Sequence, residues 1–471
     1  MAPSDEGVDM DAAAEDATTT LARHVLDLDV AVLPEEVAIG ARTILADTLG
    51  VLCAASAQTA VRTAVEAMPL GTGPCTVVGH PVRAAPDTAA LVNGIGGHDI
   101  ELDDLHAASR THPASVIVPA ALAAAEHLGG CSYGDVLSGI VAGYDVMVRM
   151  SRALGTIAQY ERGFHPSSVT GAVGAAVCAG RIFGLSIDEM RWAVGLAASQ
   201  SSGLLTYYDD PSHMAKSFQT GIAARNGMTA ALLAGTGYRA APDVLTGRHS
   251  MLTPFGGAAA DPAELVAGLG RRFEILFTTI KRHASCALTH AAVDALLDVL
   301  DEHGVPVDTI ERIEVRVPHA AVPSIDANVL WTHNIQYVLA LAAHQRTVAL
   351  EHFAPQWTRN ADIAHLAARV TVAGDDDLQQ RFPAQNGAIV RLITSDAEFV
   401  RHRAGPRGSP VEPLTSEELS KKFMQLAGSV LGPAGAAALW HAVMTTALDD
   451  AVDPMLDPLS VPAGTVTGGS T

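Results

Sequence analysis

The stretch GHDIELDDLHAASRTHPASVIVPAALAAAE, from Gly97 to Glu126, places a dense group of charged and imidazole side chains just before an apolar run. The group comprises His98, Asp99, Glu101, Asp103, Asp104, His106, Arg110 and His112. Pro113 and the apolar residues after it predict a helix start, where unpaired N–H groups and the helix dipole attract anions. The stretch therefore predicts acid–base chemistry and anion binding, and the alternative is an ordinary solvated acidic loop.

Length and composition set the class of protein. The 471 residues exceed one ordinary core and predict two domains. Abundant alanine with 48% hydrophobic and 4% aromatic residues predicts closely packed helices. A formal net charge of -21 argues against general nucleic-acid binding, although a local pocket can still bind polycarboxylates. The five cysteines form no C-x-x-C pair, which disfavours a disulfide framework, a zinc ribbon and an iron–sulfur cluster.

The two ends of the chain are predicted to lie outside the folded domains. Residues 1–18 are acidic and read as a disordered leader without the basic start and apolar run of a signal peptide, so a cytoplasmic protein is expected. Residues 451–471 read as a flexible tail. No uninterrupted apolar run reaches about 18 residues, so no membrane span is expected.

Two His-Pro-x-Ser motifs, His112 to Ser115 and His165 to Ser168, open predicted helices. Each would place an imidazole beside a positive helix end, which favours neutral imidazole and attracts carboxylates. The alternative is a routine helix start with proline in the first turn and serine as a cap. Lys216 begins another helix against its dipole, so it either points to solvent or binds an anion, and solvent is the preferred reading.

The composition changes from about Asp261, and strand-like alternation follows at 310–317. Strands are predicted at 310–317, 370–372, 388–394 and 399–402, and helices at 294–303 and 334–343. This pattern predicts an α+β domain over 269–412, after an all-helical domain over 19–268. Helices return within 413–450, the first with a capping box at Thr415, and these helices are expected to pack back on the helical domain.

A third candidate site is the run from Lys281 to His290, which also contains Arg282 and Cys286 and precedes a helix. It is either another anion-facing helix start or a basic hinge between domains. The pooled candidate residues are His98, Glu101, Asp103, Asp104, His112, His165, Ser168, Lys216, Lys281, Arg282, Cys286, His290 and Tyr337. A Mg²⁺ or Mn²⁺ site in the acidic loop is a weaker hypothesis, because the carboxylates lack a regular ligand spacing.

The ordered motifs resemble those of the MmgE/PrpD family over about residues 20–450. They are Ala46-Asp-Thr-Leu-Gly, His98-x-x-Glu-Leu-Asp-Asp, His112-Pro-Ala-Ser, Phe164-His-Pro-Ser-Ser-Val, Lys216-x-x-x-x-Gly-x-Ala-Ala-Arg-Asn-Gly and Ser285-Cys-x-x-x-His. The family includes 2-methylcitrate dehydratase, cis-aconitate decarboxylase and iminodisuccinate epimerase. The resemblance implies an all-helical domain completed by the C-terminal helices, a lid domain with a small antiparallel sheet, and a homodimer. It also implies a site between the domains that uses no metal or other cofactor.

By similarity, the catalytic positions are Glu101, His112, His165, Lys216, Cys286 and Tyr337. The remaining pooled residues are expected to bind substrate: His98, Asp103, Asp104, Ser168, Lys281, Arg282 and His290. Three features depart from the decarboxylase branch. Glu101 stands where the motif usually has aspartate, Cys286 stands where decarboxylases carry histidine, and the loop from Glu101 to His112 is one residue longer.

The reaction expected from this resemblance is carbanion chemistry beside a carboxylate of a small polycarboxylate. The first hypothesis is a cofactor-free lyase that performs a dehydration like that of 2-methylcitrate dehydratase. The alternatives are an epimerase of an iminodisuccinate-like substrate and a cis-aconitate-type decarboxylase. A metal-binding module and a non-catalytic protein are the remaining possibilities.

Overall fold

The computed structural model describes residues 16–460. Its helices are α1 (Ala17–Asp27), α2 (Glu35–Ala55), α3 (Thr59–Ala67), α4 (Pro86–Asp99), α5 (Ala114–Leu128), α6 (Tyr133–Ala153), α7 (Thr156–Glu161), α8 (Pro166–Phe183), α9 (Ile187–Ala198), α10 (Met214–Gly235), α11 (Leu252–Gly256), α12 (Ala287–His303), α13 (Val322–Ile325), α14 (Ile335–Gln345), α15 (Pro355–Thr358), α16 (Ala361–Ala367), α17 (Asp376–Arg381), α18 (Ser416–Thr445) and α19 (Asp453–Leu456). Its strands are β1 (Cys75–Thr76), β2 (Arg83–Ala84), β3 (Asp104–His106), β4 (Thr278–Ile280), β5 (Ile310–Pro318), β6 (Val370–Asp375), β7 (Ala388–Thr394) and β8 (Glu398–Arg403).

Two hydrophobic cores define the two domains. The first core runs from Leu21 to Ala284 and resumes at Phe423, so the C-terminal helices complete the helical domain. The second core begins at Leu288 and belongs to the α+β domain. The boundary therefore lies near residue 285 instead of 268, because residues such as Phe273 and Ile280 pack into the helical core.

Small residues let the helices of the first domain approach closely, as the alanine- and glycine-rich composition predicts. At the crossing of α4 and α10, a Cβ added to Gly94 would lie 2.8 Å from the Gly221 Cα atom. A Cβ added to Gly221 would lie 2.5 Å from the Leu91 carbonyl oxygen. This crossing sets the distance between the end of α4 and the start of α10, where His98 and Lys216 lie.

The lid domain contains a four-stranded sheet in the order β6-β5-β7-β8, with α12 and α14 in the same core. The hairpin β7–β8 is antiparallel, as predicted. The pairing of β5 with β6 is parallel, with Ile313 opposite Val370, so the sheet is mixed and the purely antiparallel expectation was wrong. The chain between β5 and β6 passes through α13 to α16, and such a long crossover permits parallel pairing.

The two ends of the described chain are more ordered than the sequence predicted. Asp16 caps α1 by accepting a hydrogen bond from the Thr19 amide at 2.9 Å, so residues 16–18 are not part of a leader. The rest of the predicted leader, 1–15, and residues 461–471 of the predicted tail lie outside the described residues. Residues 451–460 are not a tail, because Met455, Leu456 and Leu459 are buried in the first core.

Two helices, α2 and α18, are long and apolar enough by length and composition to cross a membrane. A count of uninterrupted apolar residues did not identify them. The two helices pack against each other, and 67% of the apolar window of α2 is buried. Gly432 (φ 69°) and Pro433 interrupt α18. The packing of α2 is that of a core helix in the first domain.

Candidate active site

The stretch from Gly97 to Glu126 joins the two halves of the chain through a short antiparallel ladder. After α4 ends at Asp99, strand β3 pairs with β4, and Asp104 lies opposite Ile280. Lys281 follows β4 directly, so this pairing places it beside the carboxylates that precede β3. Side chains about 180 positions apart in sequence therefore meet.

Lys281 links two buried carboxylates. Its Nζ atom donates to Glu101 Oε2 and to Asp103 Oδ1, each at 2.8 Å. All three side chains are at most 1% exposed. The stretch is therefore not the solvated acidic loop of the alternative interpretation, since these charges are removed from water and paired.

Glu101 also receives hydrogen bonds from the start of α10. Its Oε1 atom accepts from Lys216 Nζ and, at 2.9 Å, from His213 Nε2. Burial raises the pKa of Glu101, but the Lys216 and Lys281 charges outweigh burial and hold the pKa well below its ordinary value. Glu101 is therefore ionised, and Lys216 points inward instead of into solvent, contrary to the preferred sequence interpretation.

Asp103 orients two imidazoles. His98 Nδ1 lies 2.6 Å and His112 Nδ1 lies 3.0 Å from Asp103 Oδ2, and His112 Nδ1 is also 2.6 Å from the Asp104 carbonyl oxygen. A carboxylate and a carbonyl accept hydrogen bonds, so the Nδ1 atoms carry the hydrogens and the Nε2 atoms keep their lone pairs. Burial lowers the pKa of His98 to about 3 and also lowers that of His112. Both rings are therefore neutral at pH 7 and can accept a proton at Nε2.

Asp104 plays a different part from Asp103. Its carboxyl group accepts hydrogen bonds from the Tyr144 hydroxyl at 2.8 Å and from the Ala114 amide at 3.0 Å. Burial, followed by the Asp103 charge, raises the pKa of Asp104 well above its ordinary value, which favours the neutral carboxyl beside the Asp103 carboxylate. Asp104 thus anchors the first turn of α5.

His165 is the residue before α8 and lies beside the charged cluster formed by Glu101, Asp103, Lys216 and Lys281 with the His98 and His112 rings. Its ring centroid lies 6.2 Å from that of His98 and 5.0 Å from that of Tyr207. The Gln219 amide nitrogen donates to the Leu204 carbonyl, so Gln219 Oε1 is free to accept from His165 Nδ1 at 3.0 Å. Burial lowers the pKa of His165 well below its ordinary value, which leaves a third neutral imidazole with a free Nε2.

The two His-Pro-x-Ser motifs do not use serine as a side-chain cap of their helices. Ser115 donates to the His112 carbonyl at 2.8 Å, and Ser168 donates to the Gln219 carbonyl at 3.1 Å. Neither α5 nor α8 has a side-chain cap. Ser168 therefore lies next to His165 but holds α10, and it makes no bond to the charged cluster.

Cys286 lies at the start of α12 and is partly exposed. Burial raises the pKa of its thiol, with a further increase from the Glu101 charge. The Lys216 and Lys281 charges act on the same pKa in the opposite direction, so Cys286 faces the cluster as a neutral thiol. It is one of the polar side chains that the lid domain contributes to the site.

Three other predicted site residues make their contacts elsewhere. The Arg282 side chain is 45% exposed and lies 3.7 Å from Asp294. His290 Nε2 donates to the Ser285 carbonyl at 3.0 Å, and burial lowers its pKa to about 3. The Tyr337 hydroxyl donates to the His352 carbonyl at 2.5 Å, and its ring contacts those of Trp331 and Phe353.

Sequence reasoning missed His213, His333 and Tyr207, which complete the wall of the site. His213 binds Glu101, and its ring lies 5.7 Å from that of His333. Tyr207 packs on His165, and Lys216 Nζ lies 5.9 Å from the centre of its ring. Both histidines could have been chosen as candidates from the sequence, because each stands just before a helix. His213 directly precedes α10, and His333 comes two residues before α14.

Two groups of side chains have the spacing of a metal site. One consists of His98, Asp103 and His112, and the other of Glu101, His213 and His333; within each group the ligand atoms lie within 4.8 Å of one another. The ammonium groups of Lys281 and Lys216 already bind the two carboxylates. A divalent cation there would be repelled by these ammonium groups, so the donor set fits a metal poorly.

The comparison with known families agrees with this architecture. Residues 19–261 match the MmgE/PrpD N-terminal domain, and residues 283–447 match the MmgE/PrpD C-terminal domain. The chain belongs to the MmgE/PrpD family. The resemblance seen in the sequence is thus confirmed, and so is its fold of a helical domain with an α+β lid domain.

Curated members of the MmgE/PrpD family align with most of the chain. A cis-aconitate decarboxylase of Aspergillus terreus is 26% identical over 419 residues, which cover 83% of this chain and 84% of the relative. The cis-aconitate decarboxylase-like protein oryM of Aspergillus oryzae is 29% identical over 387 residues, with 76% and 79% covered. The cis-aconitate decarboxylase of Mus musculus is 27% identical over 378 residues, with 76% and 75% covered.

Proposed function

We propose that this chain is a metal-independent lyase that acts on a small polycarboxylate through a carbanion beside a carboxylate. The observation that carries the proposal is the buried cluster in which two neutral imidazoles, His112 and His165, keep free Nε2 atoms near the buried ammonium groups of Lys216 and Lys281. Imidazoles supply and remove protons near neutral pH, and buried cations stabilise charge that develops on the substrate.

Decarboxylation of a cis-aconitate-like substrate is the reaction to test first, because the curated relatives described above carry that activity in their names. The bond to the departing carboxylate breaks and CO₂ leaves. The electron pair remains on carbon and spreads into the conjugated carboxylate, which Lys216 stabilises. His112 or His165 takes a proton from solvent water and delivers it to carbon.

Dehydration of a hydroxy-polycarboxylate such as 2-methylcitrate is the second candidate, and Cys286 favours it. A neutral thiol stands where the resemblance gives the decarboxylases a histidine, so this chain lacks one of their proton carriers. In this reaction a neutral imidazole removes the proton beside a carboxylate. The imidazolium formed in this way then gives that proton to the departing hydroxide, and water leaves.

The test is to incubate chelator-treated protein with cis-aconitate, 2-methylcitrate and an imino- or amino-dicarboxylate in D₂O and to follow each by NMR. Loss of CO₂, loss of water, or deuterium exchange without loss of a group distinguishes decarboxylation, dehydration and epimerisation. We expect His112→Ala and Lys216→Ala each to lower kcat/KM by about 10² to 10⁴. His249→Ala, which alters an exposed histidine, is the control.

Turnover that survives in both variants would refute the assignment of these residues. Activity that is lost on chelation and restored by Mg²⁺ or Mn²⁺ would refute the metal-independent mechanism. Turnover of no polycarboxylate would refute the lyase and favour a non-catalytic role. The homodimer implied by the family resemblance stays a prediction, which light scattering of the purified protein measures.

A further inference from the structure

Arg110 is a buried arginine whose position is fixed by its backbone. It lies in the loop between β3 and α5 with a φ of 55°, a conformation that L residues rarely adopt. The two residues before it are held by hydrogen bonds from α6 and α7: Ser151 donates to the Ser109 carbonyl at 2.8 Å, and Thr156 donates to the Ala108 carbonyl at 3.0 Å. Non-glycine residues persist in this conformation where the surrounding structure imposes it, often at functional sites.

The guanidinium group of Arg110 lies over two aromatic rings and has no carboxylate partner among residues 16–460. Its Cζ atom lies 5.5 Å from the centre of the Tyr160 ring and 5.2 Å from that of Phe382. The residue is 8% exposed, and within residues 16–460 its buried Nη1 atom has no hydrogen-bond partner. Ring faces stabilise a cation only modestly, whereas buried charges are normally paired with an opposite charge.

Arg110 is also the unmatched charge of the candidate site. The two ionised carboxylates, Glu101 and Asp103, are balanced by the two ammonium groups of Lys216 and Lys281. Arg110 takes no part in these ion pairs, so its charge is available to an anionic ligand.

The neighbours of Arg110 place this charge at the site and not elsewhere on the protein. Tyr207 and Cys286 are among the groups that interact electrostatically with it. The Tyr207 ring packs on His165, and Lys216 Nζ lies over the same ring. The charges of Glu101 and Lys216 act on the pKa of the Cys286 thiol. Arg110 therefore lies close enough to Tyr207 and Cys286 for its charge to act on the part of the site that contains His165 and Lys216.

We propose that Arg110 binds a carboxylate of the substrate that does not react, and that it gives the site its preference for polycarboxylates. This inference rests on the proposed function, since it names a residue that recognises the substrate of that same site. A guanidinium donates two parallel hydrogen bonds to one carboxylate, a geometry that an ammonium cannot reproduce. The bound carboxylate supplies both the charge and the acceptor that Nη1 lacks in the described structure.

The experiment compares wild type with Arg110→Gln and Arg110→Lys. The probe for binding is tricarballylate, a saturated tricarboxylate without a reactive double bond or hydroxyl group, measured by isothermal titration calorimetry. We expect Arg110→Gln to weaken tricarballylate binding by about 30-fold or more, because one buried charge-assisted contact is lost. For the substrate that wild type turns over, KM should rise by a similar factor while kcat changes less than about threefold. Arg110→Lys should recover part of the affinity.

Thermal unfolding without ligand separates binding from a structural role. Arg149 is the control for a structural arginine, because it is 1% exposed and pairs with Asp145 at 2.9 Å. We expect Arg149→Gln to lower Tm, since it leaves Asp145 unpaired, whereas Arg110→Gln should leave Tm unchanged or raise it. Arg62→Gln, on an exposed part of α3, is the control for activity.

Equal affinity of wild type and Arg110→Gln for tricarballylate would overturn this inference and leave the proposed function intact. A loss of Tm and kcat in Arg110→Gln like that in Arg149→Gln would also overturn it, because the arginine would then be structural. If wild type neither binds nor converts any polycarboxylate, the proposed function itself fails, and the inference fails with it.

Discussion

Replacing Lys281 with methionine tests whether the buried charge cluster holds the two halves of the chain together. The ammonium donates at 2.8 Å to Glu101 and to Asp103, and all three groups are removed from water. Breaking a buried ion pair by removing one partner costs about 3 to 5 kcal/mol, because the remaining charge is left uncompensated. Glu101 keeps Lys216, so the cost falls mainly on Asp103.

We expect Lys281→Met to lower the free energy of unfolding at pH 7.5 by about 3 to 5 kcal/mol. Urea unfolding followed by circular dichroism measures this change, and the slope of the transition shows whether wild type and Lys281→Met unfold in the same way. Lys421→Met is the matched control, since Lys421 is exposed, and it should change stability by less than about 0.5 kcal/mol.

The double variant Lys281→Met/Asp103→Asn removes the charge that the single variant leaves unpaired. It should therefore be destabilised by at least about 1 kcal/mol less than the sum of its two single variants. A loss below about 1 kcal/mol in Lys281→Met, or strict additivity in the double variant, would refute the view that this buried pairing stabilises the fold.

Three further predictions concern pH and packing. Burial lowers the pKa values of the proposed bases His112 and His165, so both should stay unprotonated at pH 6.5. As the pH falls, kcat/KM should therefore reach half its maximum only below pH 6.5, and a midpoint at or above 6.5 would contradict this. Burial lowers the pKa of His290 to about 3, so the unfolded chain binds a proton that the folded chain does not, and stability is lost as the pH falls below 6.5. Between pH 7.5 and 5.0 this loss is about 2 kcal/mol, and urea unfolding of His290→Gln should show a loss smaller by that amount. Gly221→Ala places a Cβ 2.5 Å from a carbonyl oxygen, so it should destabilise the protein by about 1 to 3 kcal/mol and reduce activity. In Gly428→Ala the added Cβ has no atom within 4 Å, so thermal unfolding of this control should show unchanged or higher stability.

Local patterns in the sequence predicted most of the fold. Strand alternation gave β5 and the β7–β8 hairpin, and a capping box at Thr415 marked the start of α18. The parallel pairing of β6 could not be read in the same way, because alternation sets which face a residue occupies and not which neighbour the strand pairs with. The packing of Met455 likewise depends on a surface formed by distant helices.

The candidate site was predictable where its residues are close in sequence and uncertain where they are not. His98, Asp103 and His112 lie in one stretch and meet as expected. The inward direction of Lys216 depends on Glu101, a partner 115 positions away, so the helix dipole alone favoured the wrong direction. Tyr337 entered by resemblance only, and its hydroxyl binds the backbone of His352.

The helical domain is formed by two segments of the chain that are separated by the lid domain, and this affects folding during synthesis. Gly50 on α2 contacts Phe423 on α18, so the part of α2 that α18 covers stays uncovered until the whole lid domain has been translated. At about 5 to 20 residues per second, the ribosome needs roughly 20 to 75 s to add the intervening residues. During that interval the nascent chain exposes this apolar part of α2, which is the kind of surface that chaperones bind. Efficient production of the protein therefore depends on whether the cell protects the nascent chain until its last helices emerge.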